Sequence, residues 1–222
     1  MLLQPLDRGI VVCQIGRMIS FPIRVSDIFA MKLLSGAKVL APLFLLMLTT
    51  ACSLPSRDYS QADVDRLAAA ITDLSPSVSP SEAARAAAIS YAYGKQLAES
   101  YNVTDPALIH NNKVHSGQRD RGLCNEYTED MLKRLKAEKF RTLTLHWATR
   151  PPTPIMIVHH SPVISAKGAP MEEGIVLDAW RDGGALFWAP VVEDTRYDWQ
   201  PLAEVVDDLW AIEVRRRKPT AE

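Results

Sequence analysis

Along this chain, apolar residues recur first at helical spacing and then at extended spacing. Val64, Leu67, Ala68 and Ile71 mark one face of a helix, and Ser60-Gln61-Ala62-Asp63 opens it as a capping box with a carboxylate at the third helical position. The Ser/Pro stretch 75–82 breaks that helix and starts another. Ser79 suits the N-cap, Pro80 the first turn, and Glu82 the positive end of the helix dipole. This second helix runs to about Ser100, with Ala88, Tyr91, Ala92 and Leu97 or nearby residues facing inward. Residues 101–121, containing Pro106, Asn111, Asn112 and Gly117, read as irregular. A third helix is predicted from about Leu123 to Lys139. Leu123, Tyr127, Met131 and Leu135 recur at four-residue steps, while Glu126, Glu129, Asp130, Lys133, Arg134 and Lys136 cover the other side.

After Lys139 the period changes to two. Arg141 to Trp147 alternates, with Leu143, Leu145 and Trp147 on one face. A second strand is predicted over 155–165, a turn at Lys167-Gly168-Ala169-Pro170, a third strand over 174–180, a turn at Asp182-Gly183-Gly184, and a fourth strand over 185–192. Residues 207–214 fit either a last strand or a short helix. Helices followed by mostly antiparallel strands predict an α+β fold, with the N-terminal helices packed on the sheet.

The N-terminal quarter follows another logic. From Met31, Lys32 and Lys38 precede an uncharged apolar stretch over 39–48, and Thr49-Thr50-Ala51-Cys52 comes next. This is the layout of an export signal. Its apolar core falls short of the roughly 20 residues that span a bilayer. A cysteine directly after a small residue resembles the bacterial lipobox, which implies lipidation at Cys52 and removal of residues 1–51. An ordinary signal with an incidental cysteine is the alternative. Residues 1–30 read as an upstream extension or a long basic leader, so Met1 and Met31 both stand as starts. The expected organisation is a tether over 52–60, one α+β domain over 61–214, and a basic tail over 215–222. The lipobox resemblance implies a membrane partner through the anchor at Cys52. The location it implies is the cell envelope, in the outer membrane's inner leaflet facing the periplasm, because Ser53 is not the aspartate that often retains lipoproteins in the inner membrane. Residues 52–222 carry 20 Lys+Arg against 24 Asp+Glu, a net of −4, which predicts no basic surface and no nucleic-acid partner.

With Cys13 and Cys52 accounted for, Cys124 stands alone in an oxidising compartment, either used or buried and inert. It falls at the start of the third helix, where the helix dipole lowers a thiol pKa. His159-His160 lies on the second strand and Asp178 on the third, so a thiol, an imidazole and an orienting carboxylate follow in workable order. Strand alternation puts His159 on the Ile155/Ile157 side and His160 on the Met156/Val158 side, so only one of them faces Cys124. His110, His115 and His146 show no metal-ligand spacing, and His110 reads as a structural hydrogen-bonding residue. Trp180, Trp188 and Trp199 read as core or rim packing, and Glu172 and Glu173 as a solvated corner. A phosphate loop, a nucleophile elbow and a dinucleotide fingerprint are all missing from the sequence, so no cofactor is expected.

Gly122, Cys124, His160 and Asp178 resemble the transglutaminase-like branch of the papain-like cysteine superfamily. That branch carries Gly-x-Cys at a helix start, His on a strand, and an aspartate at the end of the following strand. The likeness covers about residues 115–182. It implies a papain-like core and a thiol acyl-transfer site, with Cys124 attacking, His160 moving the proton and Asp178 orienting His160. Gln118, six residues before Cys124, is similar in placement to the papain oxyanion glutamine; the other reading is a loop glutamine in solvent. The substrate class implied is protein or peptidoglycan peptide. Asn125 stands where an aromatic often follows the nucleophile, and Pro162 places a gap in a strand ladder. Arg121-Gly122-Leu123-Cys124 and Gly174 to Asp178 also resemble a group of bacterial envelope lipoproteins. The rival reading is a non-enzymatic binding or scaffold module of the envelope with Cys124 buried.

Overall fold

The computed structural model describes residues 56–217, with side chains as far as Trp210, all within the unit Ser53–Glu222. The expected signal segment, the lipidation at Cys52 and the last five residues lie outside the described residues. Helix α1 is Gln61–Thr72, and its capping box forms as expected: Ser60 accepts from the Asp63 amide while Asp63 accepts from the Ser60 amide. Helix α2 is Pro80–Ser100, with proline in its first turn. Glu82 does more than complement the helix dipole. Its carboxylate accepts from the amides of Arg141 and Thr142 and from the Thr142 hydroxyl, tying the start of α2 to the entry of the sheet.

Residues 101–121 are not irregular throughout, because Ala107–His115 forms helix α3. It lacks an apolar stripe and is held by polar docking. His110 and Asn111 are buried, His110 Nε2 meets the Arg121 carbonyl at 2.9 Å, and the Trp180 indole donates to Asn111 Oδ1 at 3.2 Å. Helix α4, Cys124–Lys136, turns Cys124, Tyr127, Met131 and Leu135 inward.

The sheet comprises β1 (Leu143–Arg150), β2 (His159–Ala166), β3 (Ile175–Asp182), β4 (Ala185–Pro190) and the short edge strand β5 (Gln200–Pro201). Its order is β4-β3-β2-β1-β5 and every pairing is antiparallel. The chain is therefore α+β. The second strand starts later than its apolar pattern suggested, since the proline-rich segment 151–158 loops out with only a Thr153–Met156 bridge. Residues 202–217 form helix α5, which decides between strand and helix at 207–214. Arg215 to Arg217 continue that helix.

Alternation divides the sheet into two faces. Leu143, Ile164, Ala166, Ile175, Leu177 and Ala179 join the side chains of α1, α2 and α4 in the main core. Ala148, Val163 and Val176 face the other way and meet Met171, Val191, Tyr197 and Trp199, which come from turns and loops. One face is roofed by helices and the other by loops. The segment before α1 is pinned by Arg57, which donates to the carbonyls of Gly183 and Val103, both at 2.5 Å.

Candidate functional site

Proline 162 shapes the middle of the sheet. The Lys167 amide donates to the Thr142 carbonyl just beyond β1, so odd-numbered residues of β2 direct their backbone groups to β1 and even-numbered ones to β3. Pro162, an even position, has no N–H to offer β3. The β2–β3 ladder accordingly holds only Val163↔Val176 and Ile164↔Ile175 and stops there. Beyond the proline the β3 edge of β2 is unladdered, and Cys124 occupies it. Its Sγ lies 3.9 Å from the Val158 carbonyl, and the His160 amide also acts on the sulfur. These two backbone groups flank His159.

The turn that delivers Cys124 has strict requirements. Gly122 has φ +124°, and a Cβ there would stand 2.2 Å from His110 Nε2. Only glycine fits. Glu126 Oε2 accepts from the amides of Gly122 (2.7 Å) and Leu123 (2.9 Å), which closes the start of α4. Cys124 is only 5% exposed. Burial pushes its thiol up to about 11, against the opposing pull of the His160, Asn125 and Cys124 amides, so the sulfur is protonated at neutral pH.

Asp178 pairs with His159, not with the expected His160. His159 Nε2 is 2.6 Å from Asp178 Oδ2, and both residues are 1% exposed. The β3–β4 register slips between Asp178 and Asp182, and this irregularity brings Arg181 back to the same face as Asp178. Asp178 Oδ1 accepts from the amides of Trp180 and Arg181, and Oδ2 also accepts from Arg181 Nε at 2.7 Å. Burial alone would raise this carboxyl, but the charges and hydrogen bonds of His159 and Arg181 outweigh it and hold the group well below the usual carboxylate range. The His159 ring sits among Trp180, Tyr197 and Trp199, with centroid distances of 4.6, 4.6 and 5.2 Å. Its Nδ1 is buried without a hydrogen-bond partner.

His160 faces the helix-covered side, and its Nδ1 is already engaged by Trp147 Nε1 at 3.1 Å and Thr149 Oγ1 at 3.0 Å. Burial, then the neighbouring His159, pulls it down to about 4. Because the Trp147 indole donates to Nδ1, the proton of the neutral ring sits on Nε2, and neither nitrogen keeps a lone pair for the thiol. Gln118 is exposed, its amide donates to Ser116 Oγ, and it takes no part in the Cys124 neighbourhood. It does line a surface cleft of about 630 Å3 with Tyr93, Tyr101, Arg119, Arg121 and Asp130; Cys124 is not among the residues lining that cleft.

Sequence reasoning missed Arg181 and Asp194. The Arg181 guanidinium, beyond its bond to Asp178, meets Asp194 at 2.5 Å through Nη2 and 3.2 Å through Nη1, and it stacks 3.7 Å over Phe187. Asp194 also accepts from the Trp199 indole at 2.9 Å. The only forward signal was a basic residue three positions after the aspartate; Asp194 sits in a loop with none. Among the described residues no cluster of three or more His, Cys, Asp or Glu is placed to hold a metal ion, and no helix is long and apolar enough to cross a membrane. Comparison with protein-family models, with curated proteins and with solved structures finds no match for this chain.

Proposed function

We propose that Cys124, His159 and Asp178 form a thiol acyl-transfer centre on a papain-like core, closed at rest, in a protein lipid-anchored through Cys52. The reading extends to an amide hydrolase or transglutaminase-like activity on protein or peptidoglycan peptide at the envelope. One observation carries it: His159 is fixed through Nε2 by a buried carboxylate while its Nδ1 is left unpartnered, and the Cys124 sulfur lies on the backbone to either side of that residue. Nδ1 is the ring nitrogen nearer the backbone, so it is the one available to a thiol placed there.

The chemistry then runs from a neutral pair. Nδ1 takes the thiol proton as Sγ bonds to the substrate carbonyl carbon, and Asp178 stabilises the imidazolium through Nε2–H. The oxyanion would be met by the Cys124 and Asn125 amides at the start of α4, which have no intrahelical acceptor and are directed at the sulfur. His159 returns the proton to the leaving amine, which departs as the thioester forms. Water or a second amine then attacks the thioester, its proton again passing through His159, and the Cys124 thiol is restored.

The rival reading, a binding or scaffold module, is favoured by the burial of the sulfur and by the absence of a hydrogen bond between it and the imidazole. Electrophilic alkylation separates the two. Iodoacetamide should label Cys124 in the tryptic peptide 122–133 near neutral pH, and His159→Gln should slow the labelling by about 10²-fold or more. Equal rates in wild type and His159→Gln, or no labelling of the folded protein, would leave the scaffold reading standing. Release of amine from peptide amides, lost in Cys124→Ala, then tests acyl transfer itself.

A further inference from the structure

The side chains behind His159 carry one net negative charge. Arg181 contributes +1, and Asp178 and Asp194 contribute −1 each; the three side chains are at most 4% exposed. Arg181 is divided between the two carboxylates, with 2.7 Å to Asp178 and 2.5 Å to Asp194. Were Asp194 absent, the guanidinium would neutralise Asp178 alone, and the carboxylate facing His159 would have little charge left to stabilise an imidazolium. Asp194 is also joined to the ring by a second route, because the Trp199 indole that donates to it packs on His159.

We infer that Asp194 is a positioning residue for His159: it draws Arg181 away from Asp178 and holds Trp199 against the imidazole, so that the site carries the one buried negative charge a protonated His159 requires. This rests on the acyl-transfer reading above. The other charged or titratable groups around the ring are Cys124 from α4, His160 on its own strand, and Tyr197 with Arg196 from the loop after β4. Asp182 at the end of β3 also senses Asp178 and Arg181. None of these is altered by the substitutions below.

The test is the pH profile of Cys124 alkylation by iodoacetamide in the full-length chain, mapped on peptide 122–133, with thermal unfolding as a control for folding. Asp194→Asn removes a negative charge, so the acid limb should move to lower pH by about one pH unit, and the rate at pH 7.5 should fall about tenfold. Trp199→Phe keeps an aromatic ring on His159 and removes a positive dipole end, so its limb should move upward. Opposite displacements support the inference. Displacement in the same direction, or two profiles superimposable on wild type, overturns it. Should Asp194→Asn fail to fold, Trp199→Phe decides alone: an upward displacement supports the inference, and an unmoved limb overturns it. Labelling that depends on His159 but not on Asp194 defeats only this inference, whereas labelling independent of His159 defeats the acyl-transfer reading.

Discussion

The helix-covered face of the sheet and the loop-covered face are closed by different physics. On the first, α1, α2 and α4 bring Leu67, Ile71, Ala83, Met131 and Leu135 against Ile164, Ile175 and Leu177, all with essentially no exposure. Among these residues no particular atom pair is needed; volume and apolarity suffice. On the second, a small apolar patch surrounds a chain of buried charges running from His159 through Asp178 and Arg181 to Asp194, each bond made by a specific donor and acceptor. A buried ion network contributes little net stability over an apolar replacement, yet removing one member is expensive. The first face therefore holds the fold and the second holds a geometry.

Substitutions can break or sharpen this contrast. The largest effect is expected on the loop face: Asp178→Ala leaves His159 without its carboxylate and the Arg181 Nε and the Trp180 and Arg181 amides without an acceptor, and unfolding free energy from denaturant titration should fall by about 3–5 kcal/mol. A loss under about 1 kcal/mol would show that the network is not needed as a unit. On the helix face, Leu135→Ala should lower stability by about 2–5 kcal/mol through cavity formation. Its Cys124 alkylation profile should nevertheless keep the wild-type pH dependence. A displaced profile would mean that the two faces are not separable.

A third expectation concerns pH. His160 binds a proton at about 4 in the folded protein against 6.5 ordinarily, so between those values the unfolded chain holds more protons and stability falls as pH is lowered through that window. His146, also pulled down by burial, acts with the same sign. Unfolding measured from pH 7 to 4 should show this decline, and it should be shallower in His160→Gln. An unchanged slope would place the buried titration elsewhere. The smallest effect belongs to Pro162→Ala, which should destabilise by about 0.4–1 kcal/mol by loosening the unfolded chain. A gain in stability would mean that β2 and β3 had zipped further once the missing amide was restored.

How much of this could be read from the sequence depended on periodicity. Helices α1, α2 and α4 and the capping box at Ser60 were legible from helical spacing and local chemistry, but the inward face of α2 was only half right: Tyr91 and Leu97 are buried, whereas Ala88 and Ala92 face solvent and Ala83, Ala86 and Ala87 pack inward instead. Helix α3 was not legible, because its buried residues are His110 and Asn111, and polar docking leaves no stripe to find. Cys124 at a helix start and Asp178 on a strand followed from pattern, and alternation correctly said that the two histidines face opposite ways. Which of them meets Asp178 did not follow, since that depends on the β2–β3 register: Val163 pairs with Val176, which puts Asp178 on the face of the odd-numbered β2 residues, His159 among them. The gap expected at Pro162 was visible; that a thiol would sit in it was not, because the neighbour comes from a helix 38 positions earlier. Long-range contacts of that kind leave no trace in local spacing.

The Arg57 clamp has a mechanical consequence. Tension applied to the chain ahead of Ser56 first meets the domain at two hydrogen bonds, one to the Gly183 hairpin and one to Val103 after α2. A force probe pulling from that end would load the β3–β4 tip, the hairpin whose far side carries Asp178 and Arg181, before α1 begins to unwind. Substituting Arg57 by alanine would pass the same load to the Asp58–Lys95 ion pair and the Tyr59–Tyr91 ring contact just ahead of α1, and spare the hairpin.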